Sequence, residues 1–255
     1  MEKNWKGKLA VITGAGGGIG RAIAEKFASV GMDLVLLGGN NLEKLNETAK
    51  IVEAKNVKAT IIAGNLTDTN WLNTAICEIN KNFEVDVLVN NAGIAQNAKV
   101  LDISEELFDK IMAINVKAPF FITKGLLENI RKSSHATIIN VCSIVSHLGY
   151  SMQSAYTASK HALLGFTKSL AAEEFKNGVR VHAISPGGVY TDMVKLTRPD
   201  LTPDGMTLPE DIAELAWFFL YMRGNAVVDE IIVHRATKEP FMAIKWYIKK
   251  HAIDW

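Results

Sequence analysis

The chain alternates between short apolar runs and longer stretches with helical spacing. KLAVIT (8–13), DLVLL (33–37), VKATIIA (57–63), VDVLVN (85–90), ATIINVCS (136–143) and VRVHAISP (179–186) are dominated by Val, Ile, Leu and Ala. Between them, 19–31, 41–55, 69–80, 104–130 and 154–175 repeat apolar residues every three or four positions, the signature of amphipathic helices. A strand with one wet face would alternate apolar and polar residues. These runs are nearly continuous, so both faces of each strand are expected to be buried. Strands of that kind, separated by helices, predict a parallel sheet covered on both sides: one doubly wound α/β domain over 1–255. DEIIVHR (229–235) predicts a last strand, and 241–255 an amphipathic C-terminal tail.

Composition narrows the function classes. A net charge of +1 over 255 residues provides no field to recruit nucleic acid or an anionic membrane surface. No stretch reaches the ~20 apolar residues that a membrane helix requires. Cys77 and Cys142 are too few for a disulfide framework or a zinc site, and each is expected to be a buried free thiol. His147, His161 and His182 are isolated, so no metal site is expected, although His147 and Tyr150 are candidates for the rim of a substrate pocket. The N-terminus, MEKNWKGKLAVITG, reads as a core strand rather than a leader, which points to the cytoplasm.

The candidate chemistry starts after the first strand. Gly14, Gly16, Gly17, Gly18 and Gly20, with Ile19, form a loop that leads straight into a helix. Glycines let backbone approach a ligand closely, and the helix N-terminus offers N–H groups to a pyrophosphate. In the first strand–helix turn of a doubly wound sheet, this predicts a dinucleotide site in a Rossmann-type domain. The nucleotide-binding half is then about 1–135 and the catalytic and substrate half about 136–240. A second constellation is SMQSAYTASKHALLG (151–165), where Tyr156 and Lys160 lie one helical turn apart and project to the same side. Such a pair could be a surface contact. However, Ser143 lies thirteen residues upstream at the carboxyl end of a strand, which is where doubly wound sheets bind ligands.

TGxxxGxG at 13–20, NNAG at 90–93, Ser143 and YTASK at 156–160 together resemble the short-chain dehydrogenases/reductases over about residues 6–235. The resemblance implies hydride transfer between a nicotinamide cofactor and a carbonyl or secondary alcohol. The catalytic residues would be Asn115, Ser143, Tyr156 and Lys160, and Ser143 and Tyr156 would hold the substrate. A free phenol has a pKa of about 10 and moves protons poorly at neutral pH. A nearby ammonium is expected to lower that value and make Tyr156 a general acid/base. Lys160 would also reach the nicotinamide ribose, and Ser143 would polarise the substrate carbonyl. Asn115, followed by Pro119, would break its helix and support a water relay behind the lysine.

Cofactor contacts implied by the same resemblance continue through Asn91, Ala92 and Gly93 beside the adenosine half. Pro186 and Gly187 open a further cofactor-binding stretch, in which a backbone group near Val189 and the Thr191 hydroxyl would hold the nicotinamide carboxamide. Asn65, next to Leu66, stands where the family commonly has an aspartate facing the adenine amino group, and its amide oxygen is expected to accept that bond. At the end of the second strand, Gly39 replaces the aspartate of NAD-type members and Asn40 the arginine of NADP-type members. The balance favours NADP over NAD, with Asn40 and Lys44 as contacts. The stretch 192–208 reads as a lid. A homodimer or homotetramer acting on a small molecule is implied. Within the family, a 3-oxoacyl-acyl-carrier-protein reductase is one alternative, and a non-catalytic nicotinamide-binding sensor or scaffold is another.

Overall fold

The computed structural model describes residues 5–39, 41–197 and 202–237. Asn40 and the C-terminal tail lie outside these described residues. Seven parallel strands form one sheet: β1 (Leu9–Thr13), β2 (Asp33–Leu37), β3 (Ala59–Ile62), β4 (Val87–Asn90), β5 (Thr137–Val141), β6 (Arg180–Pro186) and β7 (Glu230–Val233). Their spatial order is β3-β2-β1-β4-β5-β6-β7. The order reverses between β1 and β4, which opens a crevice above the carboxyl ends of the strands.

Burial on both strand faces, expected from the continuous apolar runs, is what the sheet shows. Along β1 and β2, Ala10, Ile12, Leu34 and Leu36 face one core and Val11, Val35 and Leu37 face the other. The first core is closed by α1 (Gly18–Ser29), α2 (Leu42–Glu53) and α8 (Pro209–Tyr221) through Ile23, Phe27, Leu45, Val52, Ile212 and Phe219. The second is closed by α3 (Thr69–Asn82), α5 (Ala118–Ile130) and α6 (Ser154–Glu174). Each fully buried aliphatic side chain contributes roughly 1.5–3 kcal/mol, so these two layers supply most of the driving force.

The helix break expected at Asn115 and Pro119 is present, and two other features differ from the sequence reading. The predicted helix 104–130 divides into α4 (Glu105–Met112), a π-helical turn at Ala113–Lys117, and α5. Pro119 has no N–H for the Asn115 carbonyl, and its ring clashes with that carbonyl in a regular helix, so the turn widens there. α8 carried no assignment in the sequence reading, despite Pro209 at its first turn and an Asp211 carboxylate accepting from Leu208 N at 2.8 Å. Cys77 is exposed rather than buried: α3 buries Leu72, Ala75, Ile76 and Ile79, and position 77 falls on the opposite side.

At the far end from the crevice, Arg131 joins the ends of α5 and α6 by two bonds to Glu174, 2.9 Å from Nε and 2.6 Å from Nη2. The Glu174 side chain is only 3% exposed, and the guanidinium holds its carboxyl below the usual range. The folded state therefore favours the ionised carboxylate. This stabilisation is full above the ordinary carboxyl pKa and fades as pH falls through the lowered folded value. Arg131→Ala is expected to lower stability in denaturant unfolding at neutral pH, because it leaves the Glu174 carboxylate without its guanidinium partner. The loss should shrink in acid, and an equal loss at acid and neutral pH would contradict the assignment.

Candidate active site

Gly14 closes β1 with φ +66°, and a Cβ there would come within 2.9 Å of Ala92 Cα. Only glycine lets the β1 loop lie this close to the loop after β4. Gly20 is tighter still, since a Cβ would meet the Gly14 carbonyl oxygen at 2.3 Å. Thr13 Oγ1 accepts hydrogen bonds from Asn91 N and Ala92 N, both at 3.0 Å. The Asn91 amide donates to the Thr13 and Gly14 carbonyls at 3.0 and 3.2 Å. The Asn91 amide N–H groups, expected beside the cofactor, thus act as a brace between two loops. Gly17, by contrast, has open space where a side chain would go.

The first turn of α1 has no acidic residue and no side-chain cap, so its N–H groups face the crevice. Arg21 points away from them. It bonds the Gly16 carbonyl at 2.9 Å, Thr48 Oγ1 at 3.0 Å and Glu47 at 2.7 Å, and so locks the loop to α2. Backbone donors without an acid, beside open glycine surface, fit the pyrophosphate of a dinucleotide.

Across the crevice, 187–191 follows β6, whose last residue is Pro186. A Cβ on Gly18 would sit 3.1 Å from Thr191 Cγ2, so the two loops face each other directly. Gly187 N donates to Val233 O at 2.8 Å, and Tyr190 N donates to Thr207 O at 2.8 Å beside a Val189–Thr207 bridge. The segment read as a lid begins as a short helix, α7 (Asp192–Thr197). Asp192 Oδ2 takes the Lys44 ammonium at 3.0 Å, so the lysine expected to contact the cofactor anchors the foot of that segment.

Ser143, Tyr156 and Lys160 converge where β5 ends. Lys160 is 4% exposed, and its Nζ donates to the Val141 carbonyl at 2.8 Å. The ammonium lies 5.8 Å from the centre of the Tyr156 ring. A Cβ on Gly93 would stand 3.5 Å from that ammonium and 3.3 Å from Asn115 Oδ1. Asn115 is fully buried. It donates to Ile94 O and Ser159 Oγ, both at 2.9 Å, and accepts from Ile94 N at 2.9 Å. Its side chain thereby fixes the π turn against α6 and the loop after β4.

The electrostatics depart from the sequence expectation. Burial raises the Tyr156 phenol to about 12; the Ser143 hydrogen bond pulls it back in part, and nearby Cys142 raises it further. Burial also lowers the Lys160 ammonium below its usual range. Burial therefore governs the phenol, with no lowering from the Lys160 ammonium, and the site holds a neutral, proton-donating phenol. Ser143 Oγ donates weakly to Pro186 O at 3.4 Å, so it tethers the end of β5 to the end of β6.

Several supporting residues escaped the sequence reading. Asn90 and Asn140 are register partners in β4 and β5, and Asn90 Nδ2 donates to Asn140 Oδ1 at 2.8 Å and to Thr123 at 3.1 Å. Asn140 donates in turn to Thr167 on α6 at 2.8 Å. An asparagine in each of two adjacent predicted strands was the available signal. Gln96 Oε1 accepts from Tyr156 N at 3.1 Å and so caps the start of α6. His147 Nε2 pairs with Glu230 at 2.6 Å. His182 is buried, stacks on Phe219 at 4.2 Å, and is pushed down to about 4 by burial.

Residues 8–202 match the family model for short chain dehydrogenase. The chain belongs to the short-chain dehydrogenase family. A 2-dehydro-3-deoxy-D-gluconate 5-dehydrogenase of Bacillus subtilis is 36% identical over 195 residues, 76% of each chain. A 3-oxoacyl-[acyl-carrier-protein] reductase of Aquifex aeolicus is 32% identical over 241 residues, 91% of this chain and 97% of that one. Among solved structures, L-sorbose reductase from Gluconobacter frateurii, complexed with NADPH and L-sorbose, superposes with a TM-score of 0.83. It is 28% identical, covering 92% of this chain and 97% of that one. Like other short-chain dehydrogenases, this chain is an oxidoreductase acting on alcohol or carbonyl groups.

Because the phenol is raised, Tyr156 should stay protonated through the ordinary tyrosine range, about pH 10. Spectroscopic titration of phenolate, wild type against Tyr156→Phe without added dinucleotide, checks this. Identical curves up to that pH are expected. An extra titrating phenol near neutrality in the wild type would contradict it.

Proposed function

We propose that this short-chain dehydrogenase transfers hydride between NADP and a small carbonyl or secondary-alcohol substrate, with Asn115, Ser143, Tyr156 and Lys160 as its working residues. The observation that carries the reading is the convergence of the Tyr156 phenol, the Ser143 hydroxyl and the Lys160 ammonium beside Gly93 at the end of β5. When bound, the nicotinamide supplies or accepts the hydride. Tyr156, held neutral by burial, gives its proton to the carbonyl oxygen as charge develops there. Ser143 holds the same oxygen and orients it towards the phenol. Lys160 keeps a positive charge behind the phenol, which favours the phenolate left after transfer. The π turn at Asn115 positions that lysine through Gly93 and Ser159.

NADP is favoured because no acid stands at the end of β2, where Gly39 exposes backbone instead of repelling a phosphate. The NADPH in the solved L-sorbose reductase supports the same choice. The substrate belongs with small polar carbonyl compounds such as those named in the sugar-related relatives; the acyl-carrier relative marks the alternative. The glycine loop and Asn65, Leu66, Asn91, Ala92 and Gly93 would bind the nucleotide, with Pro186, Gly187, Val189 and Thr191 at the nicotinamide end. The enzyme would work in the cytoplasm as a homodimer or homotetramer, using exposed Phe108, Phe120 and Phe121 on α4 and α5.

Loss of reduced-nicotinamide absorbance, followed over a panel of ketoses, keto acids and simple ketones with each carrier, tests the assignment. Turnover with a higher kcat/KM for NADPH than for NADH is expected. Tight dinucleotide binding with no turnover of any carbonyl would overturn it in favour of a sensor.

A further inference from the structure

A carboxylate that takes no part in the mechanism above stands on β7, the edge strand beside β6. Two donors converge on one oxygen of this residue, Glu230. His147 Nε2 meets Oε1 at 2.6 Å, and a carboxylate oxygen only accepts, so the ring nitrogen carries the hydrogen. Ser185 Oγ donates to the same Oε1 at 2.5 Å. The Glu230 side chain is 18% exposed and Ser185 is fully buried, so both bonds are largely screened from water.

Both donors lead back to Ser143. His147 closes the turn Ile144–Ser146 that Ser143 opens, and its N–H donates to Ile144 O at 3.1 Å. Within that turn Ser143 N donates to Ser146 Oγ at 3.3 Å, and Val145 N donates to Ser143 Oγ at 3.4 Å. On the other side, Ser185 immediately precedes Pro186, whose carbonyl accepts from Ser143 Oγ at 3.4 Å. The two bonds made by the Ser143 hydroxyl are long and weak, so they do not hold it by themselves. Its place is set by the backbone on either side, the turn after β5 and the end of β6. Glu230 Oε1 is the atom that joins those two segments.

We propose that Glu230 is a positioning residue for hydride transfer: through His147 and Ser185 it holds the Ser143 hydroxyl where it and Tyr156 share one carbonyl oxygen. The inference rests on the role given to Ser143 above. Glu230 reaches the reacting atoms only through its two donors, from a neighbouring strand. A hydroxyl that drifts weakens its bond to the charge that develops on oxygen, which slows the reaction more than it weakens binding. Glu230 acts here as a double acceptor. A neutral amide oxygen has two lone pairs and can replace it.

The test measures kcat and KM with NADPH and whichever ketose, keto acid or simple ketone is turned over fastest. Glu230→Ala is expected to lower kcat about tenfold, while KM and the dissociation constant for NADPH stay within about threefold. Glu230→Gln should keep kcat within about threefold of the wild type. In a Ser143→Ala background, Glu230→Ala should have almost no further effect, because the hydroxyl it positions is gone. His147→Ala cuts one of the two ties and serves if Glu230→Ala does not fold. It should lower kcat by about threefold or more, and again only when Ser143 is present. Equal losses in both backgrounds, or no loss in either variant, overturn the inference. If Ser143→Ala turns over as fast as the wild type, the functional reading falls as well; if Ser143→Ala is impaired and the losses add, only the role of Glu230 falls.

Discussion

The buried ammonium of Lys160 is the constraint around which the site is arranged. A cation that is 4% exposed is costly unless its donors are taken, and the Val141 carbonyl at the end of β5 takes one. That bond fixes α6 against the sheet edge and so sets where Tyr156 stands. A side chain at Gly93 would press on Asn115 Oδ1 at 3.3 Å and touch the ammonium at 3.5 Å. Gln96, from the same loop, then caps the helix that carries the tyrosine. Strand end, loop, π turn and helix are thus held in one arrangement by hydrogen bonds of about 3 Å.

Burial has a chemical consequence. In the apolar environment under the sheet edge, both phenolate and ammonium are disfavoured, and the protein without cofactor rests with a neutral phenol. A proton donor poised in this way suits carbonyl reduction, in which the proton must be present before charge develops on oxygen. The polar ladder from Thr123 through Asn90 and Asn140 to Thr167 stiffens the floor of the site without ionisable groups. Every amide donor in it has a partner, while the buried Asn90 Oδ1 accepts from none of the described residues.

Much of the fold was legible in the chain. Continuous Val, Ile and Leu runs predict the doubly buried parallel sheet, and the glycine spacing, NNAG and YTASK mark residues that the structure brings together at one crevice. What the chain hid were effects that depend on three-dimensional neighbours. The direction of the Tyr156 shift turns on burial, opposed only by the Ser143 hydrogen bond, and spacing reports neither. The Asn65 amide oxygen, expected to face the cofactor, accepts from Thr67 N at 3.0 Å and from Thr67 Oγ1 at 2.9 Å. Lys44, read as a polar contact of the cofactor, also pairs with Asp192, 148 positions further on, at 3.0 Å, which sequence spacing does not report. α8 was overlooked because its aromatic, all-round apolar sequence lacks a clean stripe, though its proline and acids mark its start.

The most direct measurement of the central claim is single-turnover hydride transfer in Tyr156→Phe with an accepted carbonyl substrate, alongside the dissociation constant for NADPH. Removal of the hydroxyl should lower the transfer rate by about a hundredfold or more while dinucleotide affinity stays within a small factor. A variant that transfers hydride as fast as the wild type would show that the buried phenol is not the proton donor, and the account would not stand.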